Sequence, residues 1–440
     1  MGRHRDAFPR AYAREASLGG KLSERGASTL RAIGRGSAHA MRWSNETGFE
    51  YEPMRLYYQF EVKMRVATEL VAKTIETYYP DRLKMDQPPF EVLYDVRDFP
   101  ATGCVSAKAK LSDPACANME QWSPVYTFAS APRDGTMFPT LVGATLITLA
   151  TRVMEAMGRP TTEQREYSRE SWTHQNMEFD LFDLAKVAEG ERASYAWENL
   201  KNVTVWRGAD LPFLGGAFPN FKEQVCYHRK QQHHCHLVNE LSKYSNKRRK
   251  HGVDVLLSRD DITPRLRAVL MSRMDGSWID AAFYPAISDL GKKLGLYTRH
   301  AMSVYEHAHY KYQLDLGGWS GTTWTGTLRK LSMPGVLLHH ETSMKDSFYD
   351  ELEPWKHYIP VKEDLSDLRE RYDWALAHDE ECRRISEAAD AWVRNFISRR
   401  AILKHNYDKL AVPLERALEA NGVRAHRIAF EDAHPEYRSL

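Results

Sequence analysis

The pattern of apolar and polar positions organises this chain around residues 305–368. Tyr310-Lys311-Tyr312-Gln313-Leu314-Asp315-Leu316 is strand-like and meets a loop rich in Gly and Thr. Trp324 to Met333 is compatible with a helix, Val336 to His340 with an apolar strand, and the run around His357–Val361 with another. Strand, glycine turn, helix, strand is the grammar of a nucleotide-binding α/β unit.

Upstream, Phe60, Met64, Leu70, Val71 and Ile75 fall near helical spacing within residues 56–78 and predict a core-facing amphipathic helix. Residues 90–96 predict a buried strand, closed by Pro100. Arg97 and Asp98 then stand at its C-terminal end, where open α/β sheets bind ligands. Val125 to Phe128 reads as a second strand and Leu141 to Met157 as a helix ended by Gly158 and Pro160. Lys201 to Gly208 is a short strand, with a domain boundary placed beside it. An α/β rhythm resumes at Arg265 to Met274 and Ile279 to Leu290. Asp364 or Ser366 is expected to cap a helix running through Ala377. A longer helix, Glu380 to Arg400, sets Ile385, Ala388, Trp392 and Phe396 on one face.

Composition excludes more than it assigns. The 440 residues are 42% hydrophobic and 27% charged, with 61 basic and 59 acidic side chains for a net charge of +2. Such a balance gives no global reason to expect nucleic acid or an anionic membrane as partner. No run of 18 apolar residues marks a membrane span. The first forty residues lack a signal-like apolar core and read as a flexible tail, and Asp6, Glu15 and Glu24 argue against a transit leader. Five cysteines exclude a disulfide scaffold, although Cys104 and Cys116 could pair. The sequons Asn45-Glu46-Thr47 and Asn202-Val203-Thr204 are compatible with a lumenal protein.

Four places could carry chemistry. Asp98 could serve as a general base, or could form an ion pair with Arg97. Arg207 before Gly208 could grip a diphosphate in a fork, or could simply open a turn. In the Gly/Thr loop, Gly317, Gly318, Ser320, Thr325 and Thr327 offer backbone N–H groups and hydroxyls to an anion, with Arg329 and Lys330 as cations just beyond. It is neither a Walker loop nor a GxGxxG fingerprint. Cys226, His228, His233, His234, Cys235 and His236 match no usual zinc spacing, so no metal site is assigned.

Taken in order, these motifs resemble glycosyltransferase family 90, which includes the Rumi-type protein O-glucosyltransferases and the fungal capsule xylosyltransferases. Val96-Arg97-Asp98-Phe99-Pro100, Trp206-Arg207-Gly208, Tyr310-Lys311-Tyr312, and above all Leu352-Glu353-Pro354-Trp355-Lys356-His357-Tyr358-Ile359-Pro360-Val361 with Asp364-Leu365-Ser366-Asp367-Leu368 carry the resemblance, from about residue 90 to 400. The resemblance implies an α/β fold of GT-B type: two Rossmann-like domains facing a central cleft, with C-terminal helices packing back. The expected layout is a tail at 1–44, an acceptor-side domain at 45–200, a UDP-sugar-binding domain at 201–378 and C-terminal helices at 379–440.

The resemblance further implies inverting transfer of glucose or xylose from a UDP-sugar to a hydroxyl of a protein or glycan. Asp98 would be the base. Arg207, Gly208, Gly317, Gly318, Ser320, Thr325, Thr327 and Arg329 would form the donor site, with Arg97 and Asp346 in acceptor or supporting roles. No cofactor is required, a divalent metal is possible but not indicated, and the compartment would be the ER or Golgi lumen, otherwise the cytoplasm. The alternative is a catalytically altered sugar-nucleotide or glycan binder on the same fold. Two departures stand out. Thr325-Gly326-Thr327-Leu328 replaces the family's Ser-x-Arg-Phe element, so that Arg329 is the candidate substitute for the missing Arg. His307-Ala308-His309 replaces the family's His-Cys, which removes a disulfide there.

Overall fold

The computed structural model describes residues 38–51, 70–95, 153, 156–157, 181–210, 249–260, 262–284, 294–318, 321–323, 326–342, 345–419 and 423–438. Arg97, Asp98, Ser320, Thr325, Cys104, Cys116, the strand expected at 125–128 and the Cys/His run at 226–236 lie outside the described residues. The chain divides into two compact units, Met1–Glu178 with Phe396–Leu440, and Phe179–Asn395. No helix among the described residues is long and apolar enough to cross a membrane.

In the first unit, β1 (Ala38–Ser44), β2 (Gly48–Tyr51) and β3 (Phe90–Asp95) form an antiparallel sheet in the order β2-β1-β3. Met41, Trp43, Phe90 and Val92 are buried at alternate positions, the period of a strand with one face in the core. Residues 70–78 are helical and bury Leu70, Val71 and Ile75, as their spacing predicts. The helices Arg399–Asn406 and Val412–Glu419 belong to this unit too, and Tyr79 donates its phenol to the Ala411 carbonyl at 2.6 Å. One expectation loses its physical basis here. The strand before Asp98 is present, but its described neighbour is antiparallel β1. The rule that ligands sit at strand ends belongs to parallel α/β sheets, so it lends Asp98 no support.

The second unit is the α/β unit that the apolar pattern predicts. Its strands are β4 (Lys201–Gly208), β5 (Ile279–Phe283), β6 (Tyr310–Asp315), β7 (Val336–His340) and β8 (Ile359–Val361). They pair in parallel in the order β5-β4-β6-β7-β8. The helices are α1 (Arg249–Leu257), α2 (Pro264–Met274), α3 (Val304–His307), α4 (Gly326–Leu331), α5 (Leu368–Ala377) and α6 (Asp379–Phe396). From β4 the chain first adds β5 on one side and then β6 on the other. The order therefore reverses between β4 and β6, which is a topological switch point.

The register separates the two faces of this sheet. Trp206, Phe283, Tyr312, Leu314, Leu338 and Ile359 join a continuous core with Leu266, Val269 and Leu270 of α2 and Tyr372 of α5. Val205 pairs with Asp280 and Gln313, and Asp315 with His339, so Arg207, Asp280, Gln313, Asp315 and His339 share the opposite, polar face. On β6, Lys311 is 5% exposed and bonds Asp379 at the start of α6 at 2.8 Å; Asp379 also accepts from the Trp197 indole at 2.9 Å. The Tyr310-Lys311-Tyr312 motif thus fastens the sheet to α6 and α5, because Tyr312 packs edge-on against Tyr372.

Two boundaries differ from expectation. The helix α5 is preceded by Asp367, whose carboxylate accepts instead from the Lys362 N–H at 2.9 Å, while Asp364 takes the Ser366 N–H. Neither Asp364 nor Ser366 caps it. The long helix stops at Phe396, not Arg400, because Ser398 caps the next helix through the Ala401 N–H. Its buried face is Cys382, Ile385, Ser386, Ala389, Val393 and Phe396, so Ala388 and Trp392 lie at its margin.

Candidate functional site

Residues at the C-terminal ends of β4, β6 and β7 meet at the switch point. Beyond β4, Ala209 offers its carbonyl to Arg265 at 2.8 Å, and beyond β6, Leu316 and Gly317 offer theirs at 2.9 and 3.0 Å. One guanidinium on α2 therefore ties the two diverging loops together. Burial draws Arg265 down to about 10, with Asp210 acting the other way. Asp210 is itself buried beneath the Tyr297 phenol, which donates to it, and burial lifts its carboxyl to about 6.

The glycine loop is held at both roots. Gly317 donates its N–H to Nδ1 of His340 at 3.0 Å, and His340 Nε2–H donates to the Glu363 carbonyl at 2.7 Å. Burial pulls His340 down to about 4, which keeps Nδ1 free to accept. A Cβ at Gly317 would overlap the Gly321 carbonyl. Gly318 donates to Thr322 O at 3.1 Å, and a Cβ there would strike the Arg265 guanidinium at 2.6 Å. At the other root, Thr323 and Thr327 both donate to Asp315 Oδ2, at 3.1 and 2.8 Å. His339 Nδ1 lies 3.0 Å from the same oxygen, and the His340 N–H donates to Oδ1 at 3.0 Å.

Three cations act on one imidazole near this polar face. Burial takes His307 down to about 4, and Lys330, Arg207 and Arg329 all push it the same way. The three positive side chains therefore lie within electrostatic reach of one neutral imidazole, whose Nδ1–H donates to the Ser303 carbonyl at 3.0 Å. Burial lowers Lys330 to about 8; Asp315 supports its charge, while Arg329 and Arg265 oppose it. Arg207 already has a partner. Its Nη2 spans both carboxylate oxygens of Asp280 at 2.9 and 2.8 Å, and its Nη1 donates to the Asp280 and Trp206 carbonyls at 2.7 and 2.9 Å.

Of the residues singled out from sequence, Arg207, Gly208, Gly317, Gly318, Thr327 and Arg329 belong to this mouth and its polar face. Asp346 is 2% exposed and accepts the Ser347 N–H at 2.7 Å. Among the described residues, no group of three or more His, Cys, Asp or Glu side chains could hold a metal ion. Sequence reasoning passed over Asp315, His339, His340, Arg265 and Asp280. The one available signal was the polar end of otherwise apolar strands, in Leu314-Asp315-Leu316 and Leu338-His339-His340.

The family signature at 352–361 builds the edge of the same unit. The Trp355 N–H donates to Tyr358 O at 2.7 Å in a turn where Trp355 takes φ 64, and the Glu353 N–H donates to His357 Nδ1 at 2.9 Å. Tyr358 then meets the His339 ring edge-on at 4.8 Å, with Tyr349 doing the same at 5.0 Å.

Residues 233–410 match the sequence profile of Glycosyl transferase family 90. Protein O-glucosyltransferase 3 of Rattus norvegicus is 31% identical over 174 residues, 38% of this chain and 32% of that protein. Protein O-glucosyltransferase 2 of Danio rerio is 33% identical over 144 residues, 32% of this chain and 28% of that protein. Protein O-glucosyltransferase 1 of Homo sapiens is 30% identical over 132 residues, 29% of this chain and 33% of that protein. The match with each of these relatives spans about a third of the relative's length. Asp98 and Arg207 precede the matched family segment, whereas the glycine loop, its cations, the strands β5 to β8 and the signature turn all lie inside it. Residues 233–410, which build most of the second unit, are therefore similar to glycosyl transferase family 90.

Proposed function

We propose that this chain is an inverting glycosyltransferase that moves glucose or xylose from a UDP-sugar to a hydroxyl of a protein. The observation that supports the reading is the tethered glycine loop at the switch point of a parallel sheet, most of whose strands lie in the segment that matches family 90, with Arg207, Arg329 and Lys330 all within electrostatic reach of His307. In the reaction the acceptor oxygen attacks the anomeric carbon as its proton passes to a base, which we assign to Asp98. The bond from that carbon to the diphosphate breaks, and its electron pair stays on the departing UDP. The cations and loop N–H groups stabilise the charge that grows there. Because the relatives are protein O-glucosyltransferases by name, a protein hydroxyl is the favoured acceptor.

Release of UDP by the purified chain, measured over a panel of UDP-sugars and followed by mass shift on candidate acceptor proteins, tests this reading. Turnover with UDP-glucose or UDP-xylose supports it. Absence of both UDP binding and UDP release sinks it. Tight UDP binding without turnover favours the second reading, a sugar-nucleotide binder. That reading draws on Arg207 being already engaged by Asp280.

Lys330 gives the donor site a pH dependence of known sign. It faces Asp315 from β6, Arg265 from α2, His307 from α3 and Arg329 on its own helix. With its ammonium drawn down to about 8, the charge is present below that pH and fades above it. UDP affinity measured by calorimetry should therefore weaken as pH rises through about 8. In Lys330→Met it should be lower at pH 7, on the order of tenfold for one charge-assisted contact, and flatter across that range.

A further inference from the structure

We propose that Asp315 is the positioning residue of the donor site, holding the glycine loop in its binding shape through the hydroxyls of Thr323 and Thr327. The inference deepens the reading above and rests on it. An ionised carboxylate offers about four acceptor positions, and here the Thr323 hydroxyl, the Thr327 hydroxyl, His339 Nδ1–H and the His340 N–H occupy them. Asp315 is 0% exposed, and these are its hydrogen-bond partners among the described residues. The Thr323 and Thr327 hydroxyls also touch each other, and the Tyr349 phenol lies 3.2 Å from the Thr327 hydroxyl, so the anchor is a connected network of hydroxyls around one carboxylate.

The chain of contacts continues beyond His339. The His339 ring stands between the edges of Tyr349 and Tyr358, and the Tyr358 phenol donates to Glu341 at 3.1 Å. The loop therefore takes its position from the ends of β6 and β7 and from the signature turn, not from its own glycines alone. The charge is kept in place as well. Burial works against the carboxylate, but His339, Lys330 and the His340 N–H outweigh it and hold Asp315 well below the usual carboxylate range. An amide at this position would turn an N–H₂ toward a group that is itself a donor, and would withdraw the countercharge from Lys330.

The test compares the wild-type chain with Asp315→Asn, Thr327→Val and Thr327→Ser, using UDP calorimetry, UDP release from the preferred UDP-sugar, and thermal melting. A loop that has lost its anchor binds the donor more weakly without altering the bond-breaking step. Asp315→Asn and Thr327→Val should therefore raise the UDP Kd and the donor KM by on the order of tenfold or more, with a much smaller change in kcat. Thr327→Ser, which restores the hydroxyl, should recover most of the affinity that Val loses. A purely structural role would lower the melting temperature and leave Kd and KM of the folded protein unchanged, and that result overturns the proposal. Should Asp315→Asn fail to fold, Thr327→Val against Thr327→Ser decides on the same criterion. A wild-type chain that neither binds UDP nor releases it overturns the functional reading itself, and this outcome is visible before any variant is made.

Discussion

Asp98→Asn will lower the rate of sugar transfer by roughly 10²–10⁴-fold, the usual contribution of one general base, while UDP binding stays close to wild type. The substitution keeps the shape of the side chain and its capacity to hydrogen-bond, but an amide cannot take the acceptor proton. In an inverting displacement the acceptor oxygen must lose that proton as it bonds to the anomeric carbon. The loss therefore falls on the chemical step, so kcat and kcat/KM should drop together while the donor KM moves little. The acidic limb of the pH–rate profile should vanish with the base that produces it. The assignment rests on the Val96-Arg97-Asp98-Phe99-Pro100 motif that follows β3 directly, since the antiparallel sheet to which β3 belongs supplies no independent argument. Full rate in Asp98→Asn would move the base elsewhere and leave the donor site untouched. A lost rate with lost UDP binding would mean that Asp98 supports the fold rather than the chemistry.

What could be read from sequence follows the range of the forces involved. The strands of the second unit are legible because local composition settles them. Val336 to His340 is buried at every position, as an apolar run in a central parallel strand should be. Lys201 to Gly208 likewise has the bounds its pattern predicts. The polar face is not legible, because its bonds join residues that only the register brings together. Asp315 and His339 are 24 positions apart, and Arg207 and Asp280 are 73 apart. Parallel pairing leaves no mark on either strand alone. The fate of Arg207 is the clearest case. A forked cation at a strand end is chemically suited to a diphosphate, and nothing local reveals that Asp280 on the neighbouring strand already fills the fork. The same limit explains the end of α6, where Ser398 captures the next helix, a competition that apolar spacing does not register.

A single methyl group at Gly335 should cause a large loss of stability, and it should reach the donor site as well. Gly335 immediately precedes β7, and its backbone lies against the start of β6. A Cβ there would sit 2.5 Å from the Tyr310 carbonyl oxygen and 2.6 Å from that of Lys311, closer than side-chain carbons approach in real structures. Both obstacles are backbone, so no rotamer relieves them. On the other side the Ser386 hydroxyl of α6 lies 3.1 Å from the carbonyls of Pro334 and Gly335, which limits retreat. Overpacking costs about 1–3 kcal/mol and occasionally more, and a site closed on two sides belongs at the upper end. For a unit of this size that lowers the melting temperature by on the order of 5–10 °C. Gly190→Ala is the control, because a Cβ there meets nothing within 4 Å. If β7 yields instead of unfolding, the displacement runs along five residues to His339, whose partner in the register is Asp315. Gly335→Ala should then weaken UDP binding even at temperatures where the chain is fully folded, a long-range effect that Gly190→Ala lacks. A melting temperature within about a degree of wild type would show that β6 and β7 can part at little cost. The donor loop would then take its position from Asp315 and His340 without help from the strand spacing beneath them.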